Sequence, residues 1–165
     1  MTATSTEKQV TTQVYRVFIK ATPQAVWDAI IKPELTEKYG YGCRVDYDLK
    51  PHGEYRCFAN DGMKAHGAPD VIIVGEVVEA DPPRRLVQSW HPIWDPTIAA
   101  EVTTRLTWEI EEEYGASRLT VTHDVTNAPI TAQMVNGDMS NAGGGWPFMI
   151  SDLKTLLETG KALAG

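Results

Sequence analysis

The chain lacks most of the signatures that announce a chemistry. It has two cysteines, Cys43 and Cys57, and they do not form a C-x-x-C pair, so neither a disulfide scaffold nor a thioredoxin-like motif is expected. Its four histidines, His52, His66, His91 and His123, share no H-x-x-x-H or H-x-E spacing, which removes the usual zinc arrangements and leaves no metal expected. There is no G-x-S-x-G elbow, no phosphate-cradling glycine loop and no dinucleotide fingerprint. Hydrolase, kinase and nicotinamide chemistries fall away with them, and no cofactor is expected. Positive charge is in deficit: 15 Lys and Arg against 22 Asp and Glu give a net charge of -7 over 165 residues. Nucleic acids and anionic membranes both reward clustered basic residues, so neither is an expected partner. No apolar run is long enough to span a bilayer, and the polar start Met1 to Lys8 lacks a signal-peptide core. A cytoplasmic protein is the expectation.

What is present begins at the far end. Gly143-Gly144-Gly145 is followed by Trp146, Met149, Ile150, Leu153, Leu156 and Leu157 at the i, i+3, i+4, i+7 spacing of one helical stripe. Asp152, Lys154, Thr155 and Glu158 are assigned to the opposite, polar face. The glycines either hinge this helix or permit a tight approach to the sheet. Most of the preceding chain reads as β-strand. Gln13 to Lys20 is rich in β-branched and aromatic residues, and Thr22-Pro23 then starts a short helix; Pro33 either ends it or opens a second short helix through Tyr39. Strands are expected around Cys43 to Tyr47, Tyr55 to Phe58, Val71 to Ala80, Arg84 to His91, Glu101 to Glu111 and Ser117 to Asp124, with a turn at Asn60-Asp61-Gly62. Tight turns between strands imply an antiparallel sheet, so the class is α+β. A hairpin turning near Lys50 and Pro51 would bring Cys43 and Cys57 nearly opposite each other. In a reducing compartment they are expected as free thiols.

Four stretches carry a resemblance. They are Ile19 to Trp27, Asp48 to Arg56, Gly75 to Leu86, and the terminal helix from Gly145-Trp146 to Leu156-Leu157-Glu158-Thr159-Gly160. Together they resemble the START/Bet v 1-like (SRPBCC) superfamily, and within it bacterial proteins similar to the C-terminal domain of the activator of Hsp90 ATPase. The resemblance implies a helix-grip fold: a curved antiparallel sheet of six or seven strands around a long C-terminal helix, with two short helices after the first strand and a cavity between helix and sheet. It divides the chain into a flexible N-terminus, residues 1–12, and a single START/Bet v 1-like domain, residues 13–165. One departure is visible. Relatives usually carry two glycines in the hairpin turn where this chain has His52-Gly53.

The favoured function is binding of a small hydrophobic ligand, apolar or aromatic, by a monomer or homodimer. Tyr55, Trp90, Trp108, His123, Trp146 and Ile150 are the expected pocket residues, with Arg56 and His91 as polar anchors near the mouth. His123 alternates in phase with Leu119 and Val121, so it should point beneath the helix, either as a satisfied core histidine or as a general base. Members of the wider superfamily include cyclases and dehydratases acting on aromatic polyketide-like substrates, which makes an enzyme the second expectation, with His123 as its base. Stimulation of a chaperone ATPase is the third, ranked last because the chain is too short to add the separate N-terminal domain of the eukaryotic activators. The stretches His91 to Ala100 and Asn127 to Asn141 read as aperiodic loops with apolar residues, suited to lids or binding edges.

Overall fold

The structure, a computed structural model, describes residues 11–140 and 142–163. The expected flexible stretch 1–12 lies outside the described residues as far as residue 10, and Thr12 already opens the first strand. Seven strands form one antiparallel sheet: β1 (Thr12–Ile19), β2 (Val45–Tyr47), β3 (Glu54–Phe58), β4 (Val71–Asp81), β5 (Arg85–Pro92), β6 (Thr104–Glu113) and β7 (Ala116–Asp124). Their order across the sheet is β1-β7-β6-β5-β4-β3-β2. From β2 to β7, then, each strand pairs with its neighbour in sequence. The exception is β1, which closes against β7 from Thr12 opposite Asp124 to Ile19 opposite Ser117.

Among the described residues, six helices accompany the sheet: α1 (Pro23–Ile31), α2 (Pro33–Thr36), α3 (Asp61–Ala65), α4 (Pro96–Ala99), α5 (Pro129–Asn136) and α6 (Gly145–Thr159). The first begins as its sequence dictates. Thr22 Oγ1 accepts the Ala25 N–H at 3.2 Å and Pro23 fills a position whose missing N–H has no helical partner. The last is the long helix of the grip. Trp146, Ile150 and Leu153 are buried on its inner stripe, and its outer residues tie it to β1: Lys154 Nζ donates to the Phe18 carbonyl at 2.8 Å, and Glu158 accepts the Lys20 N–H at 2.8 Å.

Several local expectations need correction. Asn60-Asp61-Gly62 is not a turn. The Asn60 side chain accepts the Met63 N–H at 2.8 Å and so caps α3. The two aperiodic stretches contain α4 and α5, helices of one and two turns, too short for a periodic signal to emerge. The second strand begins at Val45 rather than Cys43, and the β6–β7 turn is tighter than expected. Tyr114 and Gly115, both at positive φ (54° and 73°), form a two-residue turn of the kind that matches strand twist. Asp152 does not lie on a polar face. It is 1% exposed, and its carboxylate accepts the Gly40 N–H at 2.7 Å and the Leu163 N–H at 2.6 Å.

The glycines before α6 serve close approach. A Cβ on Gly145 (φ +62°) would sit 2.3 Å from the Val135 carbonyl oxygen, and one on Gly143 would enter the Tyr41 ring at 2.4 Å. The C-terminus of α5 and the head of α6 touch backbone to backbone because Gly137 and Gly145 carry no side chain. At the β2–β3 turn, His52 sits at φ +68° with its imidazole exposed and 2.6 Å from Glu76. The left-handed backbone there is one that glycine adopts without strain and a histidine does not.

Candidate functional site

Inward-facing residues of β2 to β6, the head of α6 and the short helices enclose a cavity of about 640 Å3, open to solvent on one side. Its wall is overwhelmingly apolar. Aromatic rings set its shape: Tyr47 and Tyr55 lie 4.6 Å apart between centroids, and Trp108 meets Trp146 edge to face at 5.2 Å. The Tyr47 hydroxyl donates to Gln88 Oε1 at 2.5 Å, which holds its ring against the wall. The Trp108 indole N–H is buried in the wall beside the Tyr47 hydroxyl.

Of the eight residues expected at the pocket, Tyr55, Trp90, Trp108 and Trp146 border this cavity. The other four do not. Strand alternation sends Tyr55 inward and Arg56 outward, where its guanidinium pairs with Asp46 at 2.9 Å and lies over the Phe58 ring. The same alternation separates Trp90 from His91, whose Nδ1 is buried without a partner away from the cavity. Ile150 is buried in the core, and its neighbour Met149 takes the cavity-facing position instead.

His123 points inward as its alternation requires and is fully buried, but it is enclosed by protein. The Trp146 indole N–H donates to Nδ1 at 3.0 Å. That leaves the ring proton on Nε2, which donates to Thr104 Oγ1 at 2.8 Å, and the Thr104 hydroxyl donates onward to the Trp90 carbonyl at 2.9 Å. Burial lowers the His123 pKa to about 4, so the ring is neutral at physiological pH. Both nitrogens are used, in a chain that joins α6, β7, β6 and β5. This arrangement pins the helix head to the sheet and offers no free lone pair to a substrate.

Sequence reasoning did not reach the cavity's other walls. Tyr39, Tyr41 and Cys43 come from the segment between α2 and β2, Met63 from α3, Trp94 and Ile98 from around α4. Ile130, Met134 and Met139 come from the α5 region, so both stretches read as lid-like do border the cavity. Glu101 links those two edges. Its carboxylate accepts the Ile130 N–H at 2.9 Å and the Thr131 N–H at 2.8 Å, capping α5 from the loop that follows α4. Cys43 and Cys57 also line the wall as free thiols. The hydrogen bond from Cys57 lowers the Cys43 pKa below the ordinary thiol value, while the same contact together with burial pushes Cys57 well up. Among the described residues, no group of three His, Cys, Asp or Glu side chains is placed to hold a metal ion.

A curved seven-stranded sheet gripping a C-terminal helix is the Bet v 1-like fold, and the model of one family with that fold, described as activator of Hsp90 ATPase homolog 1-like protein, matches residues 20–158. The chain belongs to this family. No curated protein matches it. Solved structures similar to this family member include CalU16 from Micromonospora echinospora, 19% identical over 90% of this chain and 77% of that one, with a TM-score of 0.63. MLL2253 from Mesorhizobium loti is 19% identical over 89% and 96%, with a TM-score of 0.66. DynU16, from the dynemicin biosynthetic locus, is 19% identical over 92% of this chain, which spans only 48% of DynU16, with a TM-score of 0.66. At such identities the likeness shows the shared fold alone. Among the described residues no helix is long and apolar enough to cross a membrane.

Proposed function

We propose that this protein binds a small, flat, largely apolar organic ligand in the cavity between its sheet and α6. The observation that carries the reading is the cavity itself: about 640 Å3 within walls of tyrosine, tryptophan, methionine and isoleucine. Keeping such a volume empty would cost on the order of 15 kcal/mol at roughly 24 cal/mol per Å3, as much as the whole stability of a domain. Water entering from the open side finds few polar partners on these walls, so an apolar occupant gains most by entering. The volume falls within the range of small-molecule sites. Ring faces favour a planar ligand.

Intrinsic fluorescence tests this directly. Four of the five tryptophans, Trp90, Trp94, Trp108 and Trp146, border the cavity, and Trp27 is buried elsewhere. Titration with flat aromatic ketones should change tryptophan emission saturably and raise the unfolding temperature in the same concentration range. Ala68→Phe, which puts a ring into the cavity, should abolish both responses. If neither signal responds, or if the Ala68→Phe variant responds as the parent does, the cavity is not the binding site.

A further inference from the structure

The cavity is almost without charge, and the exception stands at its entrance. Among the described residues that border it, Asp95 supplies the single carboxylate, and no lysine, arginine or histidine joins it. Of those bordering residues only Asp95 and Thr97 are exposed, so the open side lies at the start of α4. There Asp95 Oδ1 accepts the Thr97 N–H at 2.8 Å and the Ile98 N–H at 3.4 Å. Asp95 Oδ2 has no hydrogen-bond or ion-pair partner among the described residues. The adjacent Trp94 is half-buried and borders the same cavity.

We propose that Asp95 receives the ammonium group of the cavity's ligand, which makes the ligand class a flat aromatic ring carrying a short aliphatic amine. The inference rests on the ligand-binding reading above and adds a charge to it. Such a molecule divides in two as the site does. Its ring enters the apolar interior, while its ammonium stays at the rim, where water still solvates it and Asp95 Oδ2 accepts one of its N–H bonds. The Trp94 indole beside that rim attracts the same cation through its ring face. A carboxylate in this position meets Asp95 as a like charge, and deeper in the cavity it meets walls with no cation to pair it. The net charge of -7 reinforces both effects, because it draws cations toward the opening and holds anions away.

Each attraction is modest because the rim is wet. An exposed ion pair is worth a factor of about two to five, and an exposed cation–π contact about the same. They set a preference among ligands, whereas affinity comes mainly from burying the ring.

Three probes with one skeleton isolate the charge: naphthylethylamine, naphthylethanol and naphthylacetic acid, all substituted at the same ring position. Calorimetric titration in about 20 mM sodium chloride should find the amine bound about five- to tenfold more tightly than the alcohol, and the acid more weakly than either. Raising the salt to about 0.5 M should shrink these differences, since charges at an exposed rim are screened. Asp95→Asn keeps an oxygen for the two α4 N–H groups, and it should bring the amine-to-alcohol ratio to within about twofold of one. Thr97→Lys sets a cation beside Asp95 and should erase the preference in the same way, a second reading should the Asp95→Asn protein fold poorly. Equal binding of amine and alcohol, an amine preference that survives both substitutions, or an acid bound as tightly as the amine would each overturn the assignment. If flat aromatic ketones bind but the amine preference is absent, only this inference fails. If neither the ketones nor the naphthyl compounds bind, the ligand-binding reading fails with it.

Discussion

Two buried polar residues set the head and the middle of α6. Asp152 is an acceptor for two backbone N–H groups from distant segments, Gly40 and Leu163. Asp152→Ala strands both donors in a buried setting and should cost about 2–4 kcal/mol in denaturant unfolding. His123 imposes a pH dependence whose sign follows from its depressed pKa. The unfolded chain takes up the proton near the ordinary value of 6.5, while the folded chain resists it down to about 4. The contribution is therefore whole above pH 6.5, falls as the pH drops through that window and is lost below it, a total on the order of 3 kcal/mol. Urea unfolding at intervals from pH 7.5 to 4 should show this decline, and His123→Gln should flatten it. The inward direction of His123 was legible in its alternation with Leu119 and Val121, but its partners were not. Trp146, Thr104 and Trp90 lie in three other elements, and only tertiary contact reveals that both ring nitrogens are taken.

The elements show where periodicity is informative and where it is not. α6 and the strands carry enough repeats to be read directly, whereas α3, α4 and α5 contain too few turns and are defined by caps. Asn60 and Asp95 cap α3 and α4 from adjacent positions, a signal available in the sequence. Glu101 caps α5 from 29 residues away, which no local pattern could disclose. Glu101→Ala should destabilise α5 by about 1–2 kcal/mol and speed amide exchange at residues 130–135. Because the capped helix forms one edge of the cavity, ligand release should quicken as well. At the β6–β7 turn, Tyr114 holds φ +54° with its ring almost wholly exposed. Tyr114→Asn should raise stability by about 0.5–1 kcal/mol, since asparagine tolerates the left-handed conformation and no packing is lost. A thermal melt of the variant measures this.

At the scale of the whole molecule, the grip leaves the C-terminal half of α6 tied to β1 and its N-terminal half standing over the cavity. A ligand held there connects α6, the sheet and the short helices, so binding should act on global unfolding rather than on one segment. At a free concentration 100 times its dissociation constant, a ligand should stabilise the fold by about 2.7 kcal/mol, which in a chain of this size is an unfolding-temperature rise of about 5–10 °C. Differential scanning calorimetry should show this as the shift of a single transition. Hydrogen exchange should show protection both at α5 and along β3 and β5.

What the sequence by itself determined is the class and the inventory: alternating strands, a helix that must lie on an apolar surface, no metal spacing, and enough aromatic residues to line a pocket. Those follow from local periodicity and composition, which need no knowledge of neighbours. The tertiary structure decided which aromatics face the cavity and which polar residues are satisfied away from it. Arg56 and His91 were misplaced by proximity to Tyr55 and Trp90, although strand pleating sends adjacent side chains to opposite faces. Cys43, Met63, Trp94 and Met134 border the same cavity from four separate segments. Convergence of that kind is a property of chain folding in space, because a cavity is bounded by residues whose separation in sequence carries no information about their separation in the fold.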